Sequence, residues 1–454
     1  MPAKDSIYRT TDPLLEGSFP LLMVFLFLIF SALMEVLPFV GKIRPQLILA
    51  TLGLLAVVGT GQFVKVITSR IGICIVAFTI WFIACIPFGF WPGGSFHIFV
   101  EQWYKAALIF VLTAGLLTTL PQANKVFHAV AYGAGLLGLL TFLKNNRTSD
   151  GRLVLDNTRY ANANDLAWTL LVGLVFVYFL FVRGSRIQKI IALLMAPPML
   201  LTISRTGSRA GAMGAFLLFG MIILQSKPAT RVRLLVISPV LLLGIIAVMP
   251  HETLVRYTTF FGNYDPYNLS VLEKQRMGTI ESTVARKQLL IDSLVLTAKH
   301  PLLGVGPGNF EVAQAEMAAE RGDVKGLWHV THNTYTQLSS EMGLPGIGIY
   351  AAMLYFAFKT LNAIIRNRTK SPPWDNLRAL AMTLRTAFIL FLPIAFFDAL
   401  AYNTDLPVLA GLTTAIGFMA QRQRAIDRAA AAAAKVAALT PSDVALEPVA
   451  VGQY

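Results

Sequence analysis

The sequence predicts an all-α polytopic membrane protein with about twelve transmembrane helices and one large, partly helical loop on the outer side of the membrane. Hydrophobic residues make up 55% of the 454-residue chain and charged residues only 14%, which is too apolar for a soluble core to hide. Apolar runs of about 15 to 21 residues recur along nearly the whole chain, and most are long enough to cross the ~30 Å hydrocarbon layer as helices. Lipid is therefore predicted to be the main solvent of this chain.

The apolar runs account for the predicted helices in chain order. Each is bounded by polar, glycine-containing or proline-containing segments. The runs lie at Pro20–Val40, Pro45–Gln62, Ile71–Phe90, Tyr104–Leu120, Lys125–Leu143, Asp165–Val182, Ile187–Ile203, Ala210–Leu224, Leu234–Met249, Gly343–Leu361, Leu380–Phe397 and Leu406–Ala420.

The distribution of Lys and Arg orients these helices, because basic residues close to span ends stay on the cytoplasmic side. With the amino terminus inside, the inner connections carry about twice as many basic residues as the short outer loops. The net charge of +14 therefore reflects topology, and a nucleic-acid partner is not needed to explain it. The expected organisation is nine helices in 1–250, a large outer loop in 251–342, three helices in 343–420 and a disordered cytoplasmic tail in 421–454.

Two arginines, Arg205 and Arg209, lie in the short hairpin between the seventh and eighth runs. A guanidinium at membrane depth costs roughly 2.5 kcal/mol or more unless it faces protein, water or an anion. The alternative reading is topological anchoring, but the hairpin is predicted on the outer side, where the positive-inside bias works against that role. We therefore expect these residues to bind an anion.

A helical stripe of apolar residues that includes Val284 and Ile291 lies within the large loop, with Ser282 or Thr283 expected as its N-cap. Arg286 follows Val284 by two positions, about 200° around a helix. It therefore points away from the apolar face, into water or a polar cleft. An interfacial arginine that only snorkels to water is the alternative.

Glycines recur at 304, 306 and 308 after this stripe. They follow a helix and include Pro307, so they do not make a convincing phosphate-binding fingerprint. A sharp turn that returns Asn309 and Phe310 toward the membrane is the expected use.

His332 lies where a polar segment meets the tenth apolar run. With an ordinary pKa near 6.5, its imidazole is mostly neutral at pH 7 and able to accept a proton. The alternative reading is a hydrogen-bonded structural histidine. The outer loops contain no HExxH or paired DxD motif, so we expect neither a metal nor another cofactor.

Together these features suggest group transfer from a lipid-linked donor on the outer side of the membrane. Arginines near the lipid boundary suit a phosphate or pyrophosphate whose tail stays in the bilayer. A neutral imidazole close by suits removal of a proton from an attacking hydroxyl. A transporter or flippase for lipid-linked sugars remains an alternative, although transporters commonly show matched halves with interrupted helices, and none is apparent here.

Four segments of the chain form a combined pattern. They are "RYANANDLAWTLLVGL" from Arg159, "TGSRAG" from Thr206, "ARKQLLIDSLVLTAKHPLLGVGPGNF" from Ala285 and "HNTYTQLSSEMGLPGIGIY" from His332. This pattern resembles the O-antigen ligase and O-antigen polymerase superfamily of bacterial envelope enzymes. The resemblance implies a membrane-embedded glycosyltransferase in the bacterial inner membrane, with a site that faces the periplasm and takes a glycan on undecaprenyl pyrophosphate. It also implies direct, inverting transfer without a metal.

The resemblance also implies roles for individual residues. His332 matches the histidine taken to act as base on the acceptor hydroxyl, and Asn333 and Tyr335 are expected to orient it or bind sugar. Arg209 and Arg286 match the arginines taken to hold the pyrophosphate.

Arg205 is added only because of its position beside Arg209. The acceptor is expected to be lipid A-core, as in a ligase, and repeat-unit polymerisation onto another glycan remains the alternative.

Overall fold

The computed structural model describes residues 7–10, 12–149, 151–247, 249, 254, 271–322 and 329–439. These residues form helices joined by turns and loops, and no strand is found among them. Nine of the helices in these ranges are long and apolar enough to cross a membrane. The chain is an all-α, multi-pass membrane protein, as the sequence predicted.

Every one of the twelve apolar runs coincides with a helix. Two of the nine candidate spans, Arg70–Phe88 and Pro92–Leu116, include adjoining short helices, whereas Pro45–Gly59 and Arg209–Gln225 are apolar but shorter than the nine. The last helix combines an apolar first half with an alanine-rich second half. For these three, membrane crossing remains a prediction. The helices are Pro13–Ser31, Pro45–Gly59, Arg70–Cys85, Tyr104–Leu116, Leu120–Lys144, Ala163–Arg183, Arg186–Arg205, Arg209–Gln225, Pro228–Ala247, Thr334–Ile365, Pro372–Ile394 and Asp405–Leu439.

Shorter helices connect some of these elements. A π-helical turn at Phe99–Trp103 leads directly into Tyr104–Leu116. The other short helices are Leu33–Val36, Pro38–Lys42, Gln62–Ile67 and Pro92–Ile98, with a 3₁₀ turn at Ile86–Phe88.

Side-chain caps start the two helices on either side of this part of the chain. The Ser185 hydroxyl accepts from the Gln188 N–H while the Gln188 side chain accepts from the Ser185 N–H, a capping box that starts helix Arg186–Arg205. After this helix ends, the Ser208 hydroxyl accepts from the Gly211 N–H and starts the next one. The predicted hairpin around the two arginines is therefore two helices joined by a very short turn.

Helix Ala163–Arg183 lies at the centre of the bundle. It packs against Leu120–Lys144, Arg186–Arg205, Arg209–Gln225 and Pro372–Ile394, and 78% of its most apolar stretch is buried. Outer helices instead expose large apolar side chains, which suits contact with lipid. The arrangement places the start of the central helix next to the loops that form the candidate site.

In the part of the large loop that the structure describes, two helices share a small core. The first, Val271–Lys299, is called the loop helix below, and the second is Phe310–Glu320. We expected the loop helix to begin at Ser282 or Thr283, and this was wrong: it begins about three turns earlier. A cap contributes only about 1 kcal/mol, so a capping residue inside a longer helix does not force a break. The small core consists of Leu289, Leu296, Val305, Phe310, Ala313 and Met317.

Parts of two predicted segments lie outside the described residues. These are 251–253, 255–270 and 323–328 of the large loop and 440–454 of the tail. Helix Asp405–Leu439 continues well past residue 421, so the described part of the predicted tail is helical.

The segment 301–309, called the glycine turn below, packs against a bend in helix Thr334–Ile365. This kinked helix changes direction at Gly343, where φ is 67° and ψ is −174°. The Val305 and Gly306 N–H groups donate to carbonyls of the kinked helix at 2.8 and 3.0 Å, and the Leu344 N–H donates back to the Pro301 carbonyl at 2.8 Å. A Cβ atom at Gly343 would overlap the Leu302 carbonyl. The sharp turn expected from the glycines is confirmed, and hydrogen bonds fix it to the kinked helix on both sides of Gly343.

Candidate active site

Two adjoining cavities lie at the end of the bundle that carries the loop helix. One has a volume of about 450 Å³ and is called the polar cavity; the other measures about 310 Å³ and is called the mixed cavity. Arg286 and His332 line both. The two residues singled out from different sequence segments therefore form a shared wall.

His332 is held in an unusual backbone conformation at this wall. Its φ is +50°, a left-handed conformation that is uncommon outside glycine and often marks functional sites. The next residue fixes it in place, because the Asn333 side chain caps the kinked helix by accepting from the Tyr335 and Thr336 N–H groups at 2.9 and 3.2 Å. Asn333 thus positions His332 and also lines the mixed cavity.

The surroundings keep the His332 imidazole uncharged. Burial lowers its pKa to about 4, and the positive charges of Arg286, His329 and Arg152 act in the same direction. Its Nδ1 atom is buried and has no hydrogen-bond partner among the described residues. At neutral pH the ring is therefore unprotonated, which is the state that a general base requires.

The mixed cavity combines positive charge with apolar side chains. Arg209, Arg286 and Lys287 supply the charge, and Met213 and Phe396 are among the apolar lining residues. Arg209 is the first residue of helix Arg209–Gln225, so the helix N-terminus adds to the positive potential. This combination can hold a phosphate group whose substituent is a hydrocarbon chain.

The polar cavity is lined mainly by groups that can form hydrogen bonds. Arg152 donates through Nε to the Thr206 carbonyl at 2.8 Å and through Nη2 to Asn164 Oδ1 at 2.7 Å. Asn162 and Thr148 also line it. The loop before helix Ala163–Arg183 therefore bridges to the hairpin that precedes Arg209.

Asp398 is a buried carboxylate close to these arginines that the sequence gave no reason to select. It is 4% exposed, and its Oδ1 accepts from the Ala399 N–H at 3.0 Å. Burial raises its pKa to about 6, while the Ala399 N–H and the charges of Arg286 and Arg152 oppose the rise. It can balance part of the positive charge behind the cavities.

Two predicted site residues lie outside the walls of both cavities. The Arg205 guanidinium stacks over the Phe142 ring at 5.2 Å. The Tyr335 hydroxyl donates to the Leu392 carbonyl at 2.8 Å and so ties the kinked helix to Pro372–Ile394. Their assigned roles in substrate binding remain predictions, and these positions supply an alternative, structural use.

Several cavity residues were missed from sequence, and the polar ones among them include Arg152, Asn164 and His329. His329 lies three residues before His332, with ring centroids 6.3 Å apart, and that spacing was a usable signal. In the described ranges, no group of three or more His, Cys, Asp or Glu residues could hold a metal ion.

The fold and the site define a polytopic membrane protein with a cation-lined cavity beside an uncharged histidine. Residues 198–351, about a third of the chain, match the family model described as O-antigen ligase, and no curated protein matches the chain. The matched segment includes Arg209, Arg286, the glycine turn and His332. The resemblance to the O-antigen ligase superfamily is thus confirmed: the chain carries an O-antigen ligase domain, which indicates glycosyl transfer of the ligase or polymerase type. The matched segment does not include the cavity-lining residues Arg152, Asn164 and Phe396.

Proposed function

We propose that this protein transfers a glycan from undecaprenyl pyrophosphate to an acceptor hydroxyl on the periplasmic face of the bacterial inner membrane. The acceptor in this proposal is lipid A-core, so the protein acts as an O-antigen ligase. One observation carries the proposal: an uncharged His332 and the cation Arg286 form the wall shared by two cavities, one of which also contains Arg209.

The proposed reaction is a direct displacement at the anomeric carbon. His332 removes the proton of the acceptor hydroxyl, and the acceptor oxygen attacks the anomeric carbon as the bond to the diphosphate oxygen breaks. The electron pair leaves on the diphosphate, whose growing negative charge Arg209 and Arg286 stabilise. Attack opposite the leaving group inverts the anomeric configuration. The step needs no metal or other cofactor.

Reconstitution tests the reaction and the acceptor together. The purified protein is placed in vesicles with a glycan on undecaprenyl pyrophosphate and two competing acceptors, lipid A-core and a second lipid-linked glycan. A ligase extends lipid A-core, as seen by a mobility shift on a gel. Growth of the second carrier alone would establish the polymerase, which the same family model also fits.

The same vesicles test the transporter alternative. Movement of the donor across the bilayer without a new glycosidic bond would replace the transferase proposal. Orientation is tested with Glu320→Cys, since the native residues Cys74 and Cys85 are buried. A membrane-impermeant thiol reagent should label Glu320→Cys from the periplasmic side. Labelling from the cytosol alone would contradict the proposed topology.

A further inference from the structure

We propose that the two cavities divide the substrates between them. The diphosphate and the first prenyl units of the donor bind in the mixed cavity, and the acceptor glycan binds in the polar cavity. This assignment rests on the proposed function and adds to it the residues that select each substrate.

The chemistry of the mixed cavity fits the donor. A polyprenyl diphosphate carries two negative phosphate groups next to a hydrocarbon chain. The mixed cavity offers two arginines and a helix N-terminus beside Met213, Phe396 and Phe397. The side chains of Met213 and Phe396 are 39% and 49% exposed, so an apolar chain can reach them.

The chemistry of the polar cavity fits a sugar. Asn162 Oδ1 accepts from the Asn164 N–H at 2.9 Å, and Asn164 Oδ1 accepts from Arg152 at 2.7 Å. These bonds fix both amide groups by their oxygen atoms. Within the described part of the chain, no residue accepts a hydrogen bond from either Nδ2 group, so both are suited to donate to sugar oxygens.

The shared wall explains how the two substrates would meet. In a displacement, the attacking hydroxyl and the leaving diphosphate lie on opposite sides of the anomeric carbon. Substrates held in adjoining cavities satisfy this requirement, with His332 within reach of the hydroxyl and Arg286 within reach of the diphosphate. A single undivided pocket would not separate them in this way.

Steady-state kinetics with each substrate varied in turn tests the division. Asn164→Asp keeps the oxygen that accepts from Arg152 and removes the Nδ2 donor. We expect it to raise the KM for the acceptor up to about tenfold, the effect of one lost hydrogen bond, with the donor KM unchanged. Phe396→Ser should raise the donor KM and leave the acceptor KM unchanged. Asn145→Asp, on the same loop but outside both cavities, is the matched control and should change neither.

The opposite pattern overturns the division. If Asn164→Asp raises the donor KM, and more so for donors with longer glycans, the donor glycan occupies the polar cavity. If Phe396→Ser raises the acceptor KM, the mixed cavity holds the acceptor.

A binding measurement keeps this test separate from the proposed function. Glycan-free undecaprenyl pyrophosphate is titrated into the protein in nanodiscs without any acceptor. Weaker binding by Phe396→Ser but not by Asn164→Asp supports the donor assignment even if the wild type transfers nothing, in which case only the proposed function fails. Equal loss in both variants contradicts the assignment.

Discussion

Two polar clusters lie at the start of the kinked helix and just before it, and they are built in opposite ways. At the first, Glu341 is 4% exposed, and its Oε2 accepts from the Gly308 N–H at 2.9 Å and from the Tyr402 hydroxyl at 2.7 Å. At the second, His332 has a left-handed backbone and a buried Nδ1 without a partner among the described residues.

The two clusters differ in where their buried polar side chains find hydrogen-bond partners. A buried polar group is unfavourable unless it is hydrogen-bonded. Around Glu341 the bonds are made within the protein, and they fix the glycine turn to the kinked helix. The His332 Nδ1 atom has no such bond among the described residues, and the ring faces two cavities instead. The same short polar run therefore contains one cluster that holds the glycine turn and one that, in the proposed function, acts on a substrate.

Replacement of His332 should have the largest effect on transfer. His332→Asn removes the base but keeps a residue that tolerates positive φ, so the fold should be retained. Loss of a general base reduces rates by about 10²- to 10⁴-fold. Transfer is measured in vesicles with the thermal unfolding midpoint in detergent as the check on folding. His128→Gln, a histidine change far from both cavities, should retain activity. A wild-type rate in His332→Asn would remove the base assignment.

Replacement of Glu341 should mainly lower the stability of the fold, whereas replacement of His332 should mainly lower the rate of transfer. Glu341→Leu leaves the Gly308 N–H and the Tyr402 hydroxyl buried without an acceptor, at about 1–3 kcal/mol each. Glu341→Gln retains an acceptor oxygen and should lose much less.

The unfolding midpoint of each Glu341 variant provides the measurement, and Glu320→Gln on an exposed surface is the control. If Glu341→Leu instead unfolds at the wild-type temperature but transfers no glycan, the two clusters would not differ as argued.

The sequence predicted the helices well and the site only in part. Helix positions follow from apolar runs because lipid imposes the same requirement along the whole chain. Arg286 and His332 were selected from their own segments and from the family resemblance, and both line the cavities.

The residues that were missed depend on contacts between distant segments. Nothing near Arg152 in the sequence indicates that it reaches the Thr206 carbonyl, and nothing near Asp398 indicates the arginines that adjoin it. Arg205 shows the converse, because proximity to Arg209 suggested a shared role, yet its side chain stacks on Phe142. Arg205 ends one helix and Arg209 begins the next. Residues this close in sequence can still point in different directions, because packing decides the direction of each side chain.

Arg209→Lys tests whether the second cluster recognises phosphate by shape as well as charge. Lysine keeps the charge but loses the planar fork that binds two oxygen atoms. A lost charge-assisted hydrogen bond of about 1.5–3 kcal/mol corresponds to a fall in kcat/KM of about 10- to 100-fold. Arg231→Lys, an exposed arginine outside both cavities, is the control. Full activity of Arg209→Lys would favour the anchoring role that the sequence left open.

The pH profile tests the uncharged state of His332 and should show the smallest change across the neutral range. With a pKa of about 4, the imidazole remains unprotonated as the pH falls from 7 to 5, so the profile of kcat/KM should not fall near 6.5. Asp398, with a pKa of about 6, is another group that can titrate there. A decline near pH 6 that disappears in Asp398→Asn belongs to Asp398. Because His329 lines the same cavity, the test is completed with the double variant Asp398→Asn, His329→Gln. A decline near pH 6.5 that persists in the double variant would show that His332 is charged like an ordinary exposed histidine, and the contrast between the two clusters would then lose its electrostatic basis.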